Sequence, residues 1–520
     1  MRRLACVGVA AVFVLFLAAG GLGQSPAEAA IGGGAARSEA APGRVLLVLP
    51  FDNRTGQPSL EWIREAAAEV LSTRFASAGF EPTSRADRMY ALDHLGLPQG
   101  FQPSRASSLK LAQALDADSI VVGSYTTDGT GIVAEASLVD VPGLRMMPQV
   151  SARGEMRNLI AVFGELAWKL TRQLDPAFNG SEETFAAEGN GTPLTAYEQY
   201  IRGITEPDQA ERLQHLQEAV KLSPAFSAAW MALGREEFSG QQYQEAAAAF
   251  AKVDRNGSEE LPPQQATSGL AGGPGLEAGF YRGLSLMFSG DYAHAQEAFA
   301  DVARVLPLAE VVNNEGVATS RQGHDGTSLY IQAAAADPSN ADYHFNLAVS
   351  LKRHGNLAGA ENELGQCLKL KPNDSEATSL EEAWKGGPGA EGDAGADPLE
   401  RIERSFNAAA FKQAAAMLDE MNAGRMAALE PHARAMALCA QAQNYLGRGL
   451  LLEAERLYQE AAAADANSAQ AHAGLAEVRE RSGDAMAARD EARTALKLDP
   501  GNHAAQDVVR EIDAKAGKTQ

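Results

Sequence analysis

Asp52, Asn53 and Thr55 stand just after an apolar run, Val45 to Leu49, and the loop beyond the carboxyl end of a buried strand is where α/β domains bind ligands. The same residues suit a plainer task, because Asn and Thr side chains bond nearby backbone and fix loops. For Asn53 and Thr55 the plainer task is favoured. Gly123-Ser124 ends a second β-type run, but a nucleophile elbow needs Gly-x-Ser-x-Gly feeding a helix, and Ser124 continues into Tyr125-Thr126-Thr127 and a turn. A strand-end serine is expected there. Metal catalysis would show as ligands at set spacings, such as two His four apart with a Glu between them. The nine His are scattered, and His294, His344 and His472 fall in helical sequence where packing or a solvated face explains them. The chain also lacks a Gly-x-x-x-x-Gly-Lys phosphate loop. No catalytic, metal-binding or cofactor-binding residue is expected, and no cofactor.

What the chain can position follows from its composition. At 520 residues it should hold about three or four domains. Apolar residues make up 45% and charged residues 22%, as in folded soluble proteins. Low aromatic content and long Ala-rich stretches favour closely packed helices. The net charge of -22 repels phosphate backbones and excludes nucleic acid as a partner. Arg2 and Arg3 precede an apolar run, Leu4 to Leu22, followed by Gln24-Ser25-Pro26 and Ala27-Glu28-Ala29. This is the pattern of a secretory signal peptide over residues 1–29, implying export to the periplasm or cell envelope and no membrane span after cleavage. A retained anchor is the alternative, and the Ala-x-Ala site favours cleavage. Cys6 lies at the start of the apolar run rather than after it, the wrong place for a lipid acceptor, and Cys367 and Cys439 suit small buried positions better than a bridge.

Residues 30–43, rich in Gly, Ala, Ser and Pro, suit a flexible linker. Residues 44–176 then read as one α/β domain: a strand at Val45 to Leu49, a helix from Ser59 to Ala78, and a helix through Leu109 and Leu115. A hairpin over Ser119 to Val141, a further strand from Met146 to Gly154 and a closing helix from Leu159 to Leu174 complete it. Pro50-Phe51-Asp52-Asn53-Arg54-Thr55-Gly56, Ala117-Asp118-Ser119-Ile120-Val121-Val122-Gly123-Ser124 and Ser137-Leu138-Val139-Asp140-Val141 together resemble the amino-terminal domain of TolB and related domains that precede tetratricopeptide arrays. The likeness departs at the last hairpin, where Gly143-Leu144-Arg145-Met146-Met147 stands in place of a Gly-x-x-x-Trp pattern. Contacts on that edge do not carry over.

After a linker at 177–193 the sequence repeats itself from Leu194 onward. Trp230, Leu233 and Gly234 with Ala246 and Phe250 match the helix-turn-helix signature of the 34-residue tetratricopeptide repeat (TPR). The grammar recurs as Gly283, Gly290-Asp291, Ala295 and Phe299; as Leu347, Gly355, Ala360 and Pro372; and as Leu475, Gly483-Asp484, Ala488 and Pro500. Ala454 and Tyr458 mark another unit, with Ala454 lying 34 residues before Ala488. Weaker units run over 196–224, 311–338 (about two residues short) and 402–421, giving roughly seven repeats. The expected blocks are 194–385, with a loop at 256–275, and 398–516, ending in a capping helix and separated by the Gly-rich acidic linker 386–397.

The resulting fold class is mainly α: a TPR-type α-solenoid preceded by a small α/β domain. Stacked helix pairs expose a concave surface that holds peptides or protein segments. Arg235, Glu236, Asn346 and Lys352 on first helices of repeats are the candidate partner contacts; the alternative for each is an ordinary solvated helix face. The leading expectation is an exported, non-enzymatic interaction scaffold for proteins or peptides of the cell envelope. The alternative is a regulatory or accessory subunit whose α/β domain binds a small ligand and signals through the array.

Overall fold

A computed structural model of the chain describes residues 44–98, 104–127, 129, 131–187, 191–255, 273–385 and 398–517. The expected signal peptide, the linkers at 30–43 and 386–397, and the loop up to residue 272 lie outside them. The described chain divides into two compact units, one of residues 290–406 and one joining residues 44–289 to the chain after residue 406.

The larger unit opens with a seven-stranded mixed sheet formed by β1 (Val45–Val48), β2 (Asp52–Asn53), β3 (Glu81–Pro82), β4 (Ser119–Thr127), β5 (Gly131–Asp140), β6 (Arg145–Met146) and β7 (Val150–Glu155). Strand order is β3-β1-β4-β5-β6, with β2 also on β4 and β7 also on β5. β1 runs parallel to β3 and β4, and the β4–β5 hairpin is antiparallel with Ser119 opposite Asp140. The continuous apolar run of β1 reflects burial on both faces. Leu46 and Val48 pack against α1 (Ile63–Ser77) and, from the end of the domain, α4 (Leu159–Leu174). Leu47 and Leu49 pack against α2 (Arg85–His94) and α3 (Arg105–Ala114). The single strand expected over Met146 to Gly154 is broken into β6 and β7 around Pro148, whose ring removes a ladder donor.

Helices follow from α5 (Glu182–Ala187) through α6 (Leu194–Thr205), α7 (Gln209–Leu222), α8 (Ser227–Ser239), α9 (Tyr243–Arg255) and α10 (Gly273–Ser289). The smaller unit holds α11 (Tyr292–Val305), α12 (Ala309–Arg321), α13 (Thr327–Ala336), α14 (Ala341–Arg353), α15 (Leu357–Leu370) and α16 (Ser375–Lys385). The larger unit resumes with α17 (Ala408–Ala427), α18 (Pro431–Gly447), α19 (Leu451–Ala464), α20 (Ala469–Ser482), α21 (Ala485–Leu498) and α22 (His503–Gly517).

Two sequence devices set the helix pairs. Gly290, just ahead of α11, and Gly355 and Gly483, at the inner turns of helix pairs, take left-handed backbone (φ +84, +81 and +91), which an L side chain resists. The residue after each caps the next helix: Asp291 accepts from the His294 amide, Asn356 from Gly359 and Asp484 from Ala487. The second device is a glycine facing a ring. A Cβ on Gly234 would sit 2.8 Å from the buried Phe250 ring, and one on Gly316 would sit 2.8 Å from Tyr330. Gly474 lies against Tyr458 in the same way. Ala246, Ala295, Ala360, Ala454 and Ala488 are all 0% exposed, so small side chains let neighbouring helices approach closely. Phe299 and Tyr458 fill the space between, with Leu347 and Leu475 buried nearby; Gly283 is buried, and Pro372 and Pro500 end helix pairs at the surface.

Further expected elements differ: the linker expected at 177–193 carries α5, whose Phe185 is buried in the core with the sheet, and α10 begins at Gly273, inside the loop expected at 256–275. The unit placed at 402–421 does not begin at Ile402: residues 398–407 are non-helical, and α17 starts at Ala408, capped by Asn407. Contacts to α12 and α14 hold residues 398–403 of that segment. Within the larger unit, α5 ties distant parts together. Arg74 Nε donates to the carbonyl of the buried Phe185 (2.9 Å), and the Ser181 amide donates to Glu455 (3.3 Å), which pairs with Arg479 (2.6 Å). Leu452 joins the core beneath the sheet.

Candidate functional site

Residues 398–403 lie as an extended strap along α12 and α14 in the smaller unit. Asn346 on α14 is fully buried, and its side-chain amide bonds both backbone groups of Arg401: Oδ1 accepts from the amide (2.6 Å) and Nδ2 donates to the carbonyl (2.7 Å). Asn314 on α12 does the same for Glu403, at 2.9 and 2.8 Å. Residues two apart on an extended chain present their backbone groups along the same edge, so the two amides act on the strap as a neighbouring strand would. Asn313 completes the row, donating to the Arg401 carbonyl (3.1 Å) and accepting from Asn346 Nδ2 (2.8 Å). Backbone bonds of this kind are blind to side-chain identity.

Side-chain recognition is added at two adjacent positions. Glu400 is 5% exposed and lies between two cations: Arg353 bonds its carboxylate and Arg321 Nε lies 3.2 Å from it. Arg353 also donates to the Pro398 carbonyl (2.8 Å) and Arg321 to the Glu400 carbonyl (3.2 Å). Arg401 meets the opposite field. Its guanidinium lies 3.6 Å over the buried Phe345 ring and bonds Asp342 (2.7 Å), Asp374 (2.6 and 2.9 Å) and Glu376 (3.0 Å). Those bonds from Arg401 hold the Asp374 carboxyl down at about 2. They also push the guanidinium pKa up, against the desolvation that acts on it.

Of the candidate contacts from the sequence, Asn346 is in this row, while Lys352 lies 5.9 Å over the Trp384 ring. Arg235 pairs with Glu277, and Glu236 with Arg212 (3.0 Å), so those two belong to ion pairs in the larger unit. Trp230 is partly buried and donates to the Pro224 carbonyl (2.9 Å). Sequence reasoning missed Asn313, Asn314, Arg321, Arg353, Phe345, Asp342, Asp374 and Glu376. A signal existed: Asn313 and Asn346 recur 33 positions apart on first helices of successive repeats, among apolar neighbours that are buried.

In the α/β domain, Asn53 Oδ1 accepts from the Thr55 amide (3.0 Å) and hydroxyl (2.6 Å), and Nδ2 donates to the Gln57 carbonyl and Glu61. Asp52 pairs with Arg54 (3.3 Å). These contacts stiffen the loop. A cleft of about 390 Å³ lies beside it, and five of its charged groups pair within it: Arg64 with Glu61 (2.7 Å), and Arg85 and Arg88 with Glu65. Among the described residues no group of His, Cys, Asp and Glu could hold a metal ion, and no helix is long and apolar enough to cross a membrane. Burial pushes the thiols of Cys367 and Cys439 up to about 11.

The tetratricopeptide repeat family profile matches residues 207–260, 319–375 and 439–503. No curated protein matches the chain. Similar solved structures include YrrB, described as a TPR protein with an unusual peptide-binding site, at 16% identity over 42% of this chain and 98% of that one (TM-score 0.30). MamA from Desulfovibrio magneticus RS-1 matches at 18% identity over 36% of this chain and 99% of that one (TM-score 0.29). The LpoB C-terminal domain from Salmonella enterica matches at 22% identity over 22% of this chain and 84% of that one (TM-score 0.21).

Proposed function

We propose that this protein, a helical-repeat chain with an amino-terminal α/β domain, is an exported, non-enzymatic scaffold that holds extended segments of envelope proteins along the concave face of its repeats. The carrying observation is the row Asn313, Asn314 and Asn346, whose amides bond the backbone of residues 401 and 403. Paired backbone bonds of this sort give affinity for any extended chain, and neighbouring side chains give selectivity. The charged pattern of residues 1–29 supports export, and the net charge of -22 supports protein rather than nucleic-acid partners. The α/β domain, whose sequence resembles that of TolB, supplies a second contact surface.

The test is cross-linking in intact cells with the full chain and with N314A/N346A. A partner segment cross-linked to α12 or α14 in the wild type and lost in the double variant is expected. Partners unchanged in the variant would show that the row does not hold them.

A further inference from the structure

We infer that the face of α12, α14 and the start of α16 takes, from a partner protein, an extended segment in which a glutamate directly precedes an arginine, and that residues 398–403 hold that place in cis. This rests on the peptide-holding reading above and adds the chemistry of the ligand.

The order of charges is what the face reads. Position 400 meets Arg321 and Arg353, and position 401 meets Asp342, Asp374 and Glu376. Exchanging the two residues would set a guanidinium between two arginines and a carboxylate among three carboxylates. The second subsite also prefers arginine to lysine. A planar guanidinium stacks on Phe345 and reaches three carboxylates from its separate N–H groups, whereas an ammonium is a compact, strongly hydrated charge.

Two features make the strap a tenant that can be replaced. Covering helices for stability alone is done as well or better by apolar residues, because charges removed from water lose hydration that their pairing only offsets. The strap nonetheless buries a glutamate and an arginine against matched partners. It also carries a mismatch: burial pushes the Glu310 carboxyl up and the nearby Glu403 adds to this, while Glu310 Oε1 has no hydrogen-bond partner. A partner segment without an acid at that position escapes the repulsion. A tethered strap competes at an effective concentration in the millimolar range, on the order of 1 mM. The wild-type chain should therefore bind a free peptide weakly.

The experiment is fluorescence anisotropy of a labelled peptide with the sequence of residues 397–405, titrated with full-length wild type and with E400A/R401A. E400Q/R401Q serves as the second variant, keeping side-chain size should the alanine pair fail to fold. A peptide with the Glu-Arg pair reversed is the control. With the side-chain pairs of its strap removed, the variant should bind the first peptide at least about tenfold tighter than wild type does, and at least about tenfold tighter than it binds the reversed peptide. Equal binding of both peptides by a folded variant overturns the charge-order assignment and leaves the backbone-holding reading standing. Binding of neither peptide by a folded variant overturns both.

Discussion

Asn346, itself fully buried, and Arg401 exchange two hydrogen bonds, side-chain amide to backbone, at 2.6 and 2.7 Å. A helix thereby offers an extended chain the paired groups that an adjacent strand would offer. The contact joins positions 55 apart in sequence, and nothing in the local residues of the strap requires it.

Replacing Asn346 by Ala leaves the Arg401 amide without a partner and removes one of the two donors to its carbonyl. An unmade buried hydrogen bond costs about 1–3 kcal/mol. N346A should release the strap, and trypsin should cut after Arg401 about tenfold faster or more under conditions where cleavage follows the opened fraction. Unchanged cleavage would show that Asn314 and the charge pairs suffice.

Asp374 makes the strap sensitive to acid. Its carboxyl is held at about 2, against about 3.9 in an unfolded chain, by hydrogen bonds from Arg401. A depressed carboxylate contributes stability that is full above the unfolded value and is lost as pH falls through the folded one. The gap in melting temperature between wild type and D374N should thus be constant above about pH 5 and shrink between about pH 4 and pH 2. Melting curves followed by circular dichroism measure it.

Glu237 works in the opposite direction. Burial, then the Glu245 charge, pushes its carboxyl up to about 7, and its Oε2 has no hydrogen-bond partner. A raised acid stabilises the fold only while protonated, so stability declines as pH rises from about 4.3, its unfolded value, through about 7. E237Q should stabilise the chain by about 1–3 kcal/mol at pH 8 and by little at pH 5. Denaturant titrations at the two pH values would show no difference if the group is paired in solution.

Gly234 is fixed by space. A Cβ there meets the Phe250 ring at 2.8 to 3.0 Å, and Phe250 is 0% exposed, so one of the two must shift. G234A should cost about 1–3 kcal/mol, as overpacked cores do, and F250L in the same chain should recover part of it. Additive losses in the double variant would count against the contact.

The helix pairs were legible because their signature residues do local work: Gly355 and Gly483 need left-handed backbone, Asn356 and Asp484 cap the next helix, and Gly234 faces Phe250. The buried strand at Val45 to Val48 was legible from its unbroken apolar run. By contrast, α2 gave little signal, since its buried positions are only Arg88, Ala91 and Leu92. The strap was illegible for a deeper reason. Its conformation is set by side chains as far as 89 positions away, while its own residues, among them Ile402 and Phe406, fit a helix. The sequence marks Asn346 as a groove position; that its side chain bonds residue 401 of the same chain is not legible there.

The knot of contacts around α5 governs how this protein can be cut. Phe185 and Ser181 receive part of their support from Arg74 on one side and from Glu455, 274 residues later, on the other. A stump ending after α5 would lose Leu452 from beneath the strands and strand the Ser181 amide without its acceptor. Deletion mapping on such pieces would record the collapse of a shared foundation, so the shortest honest fragment for studying the sheet includes the hairpin of α19 and α20.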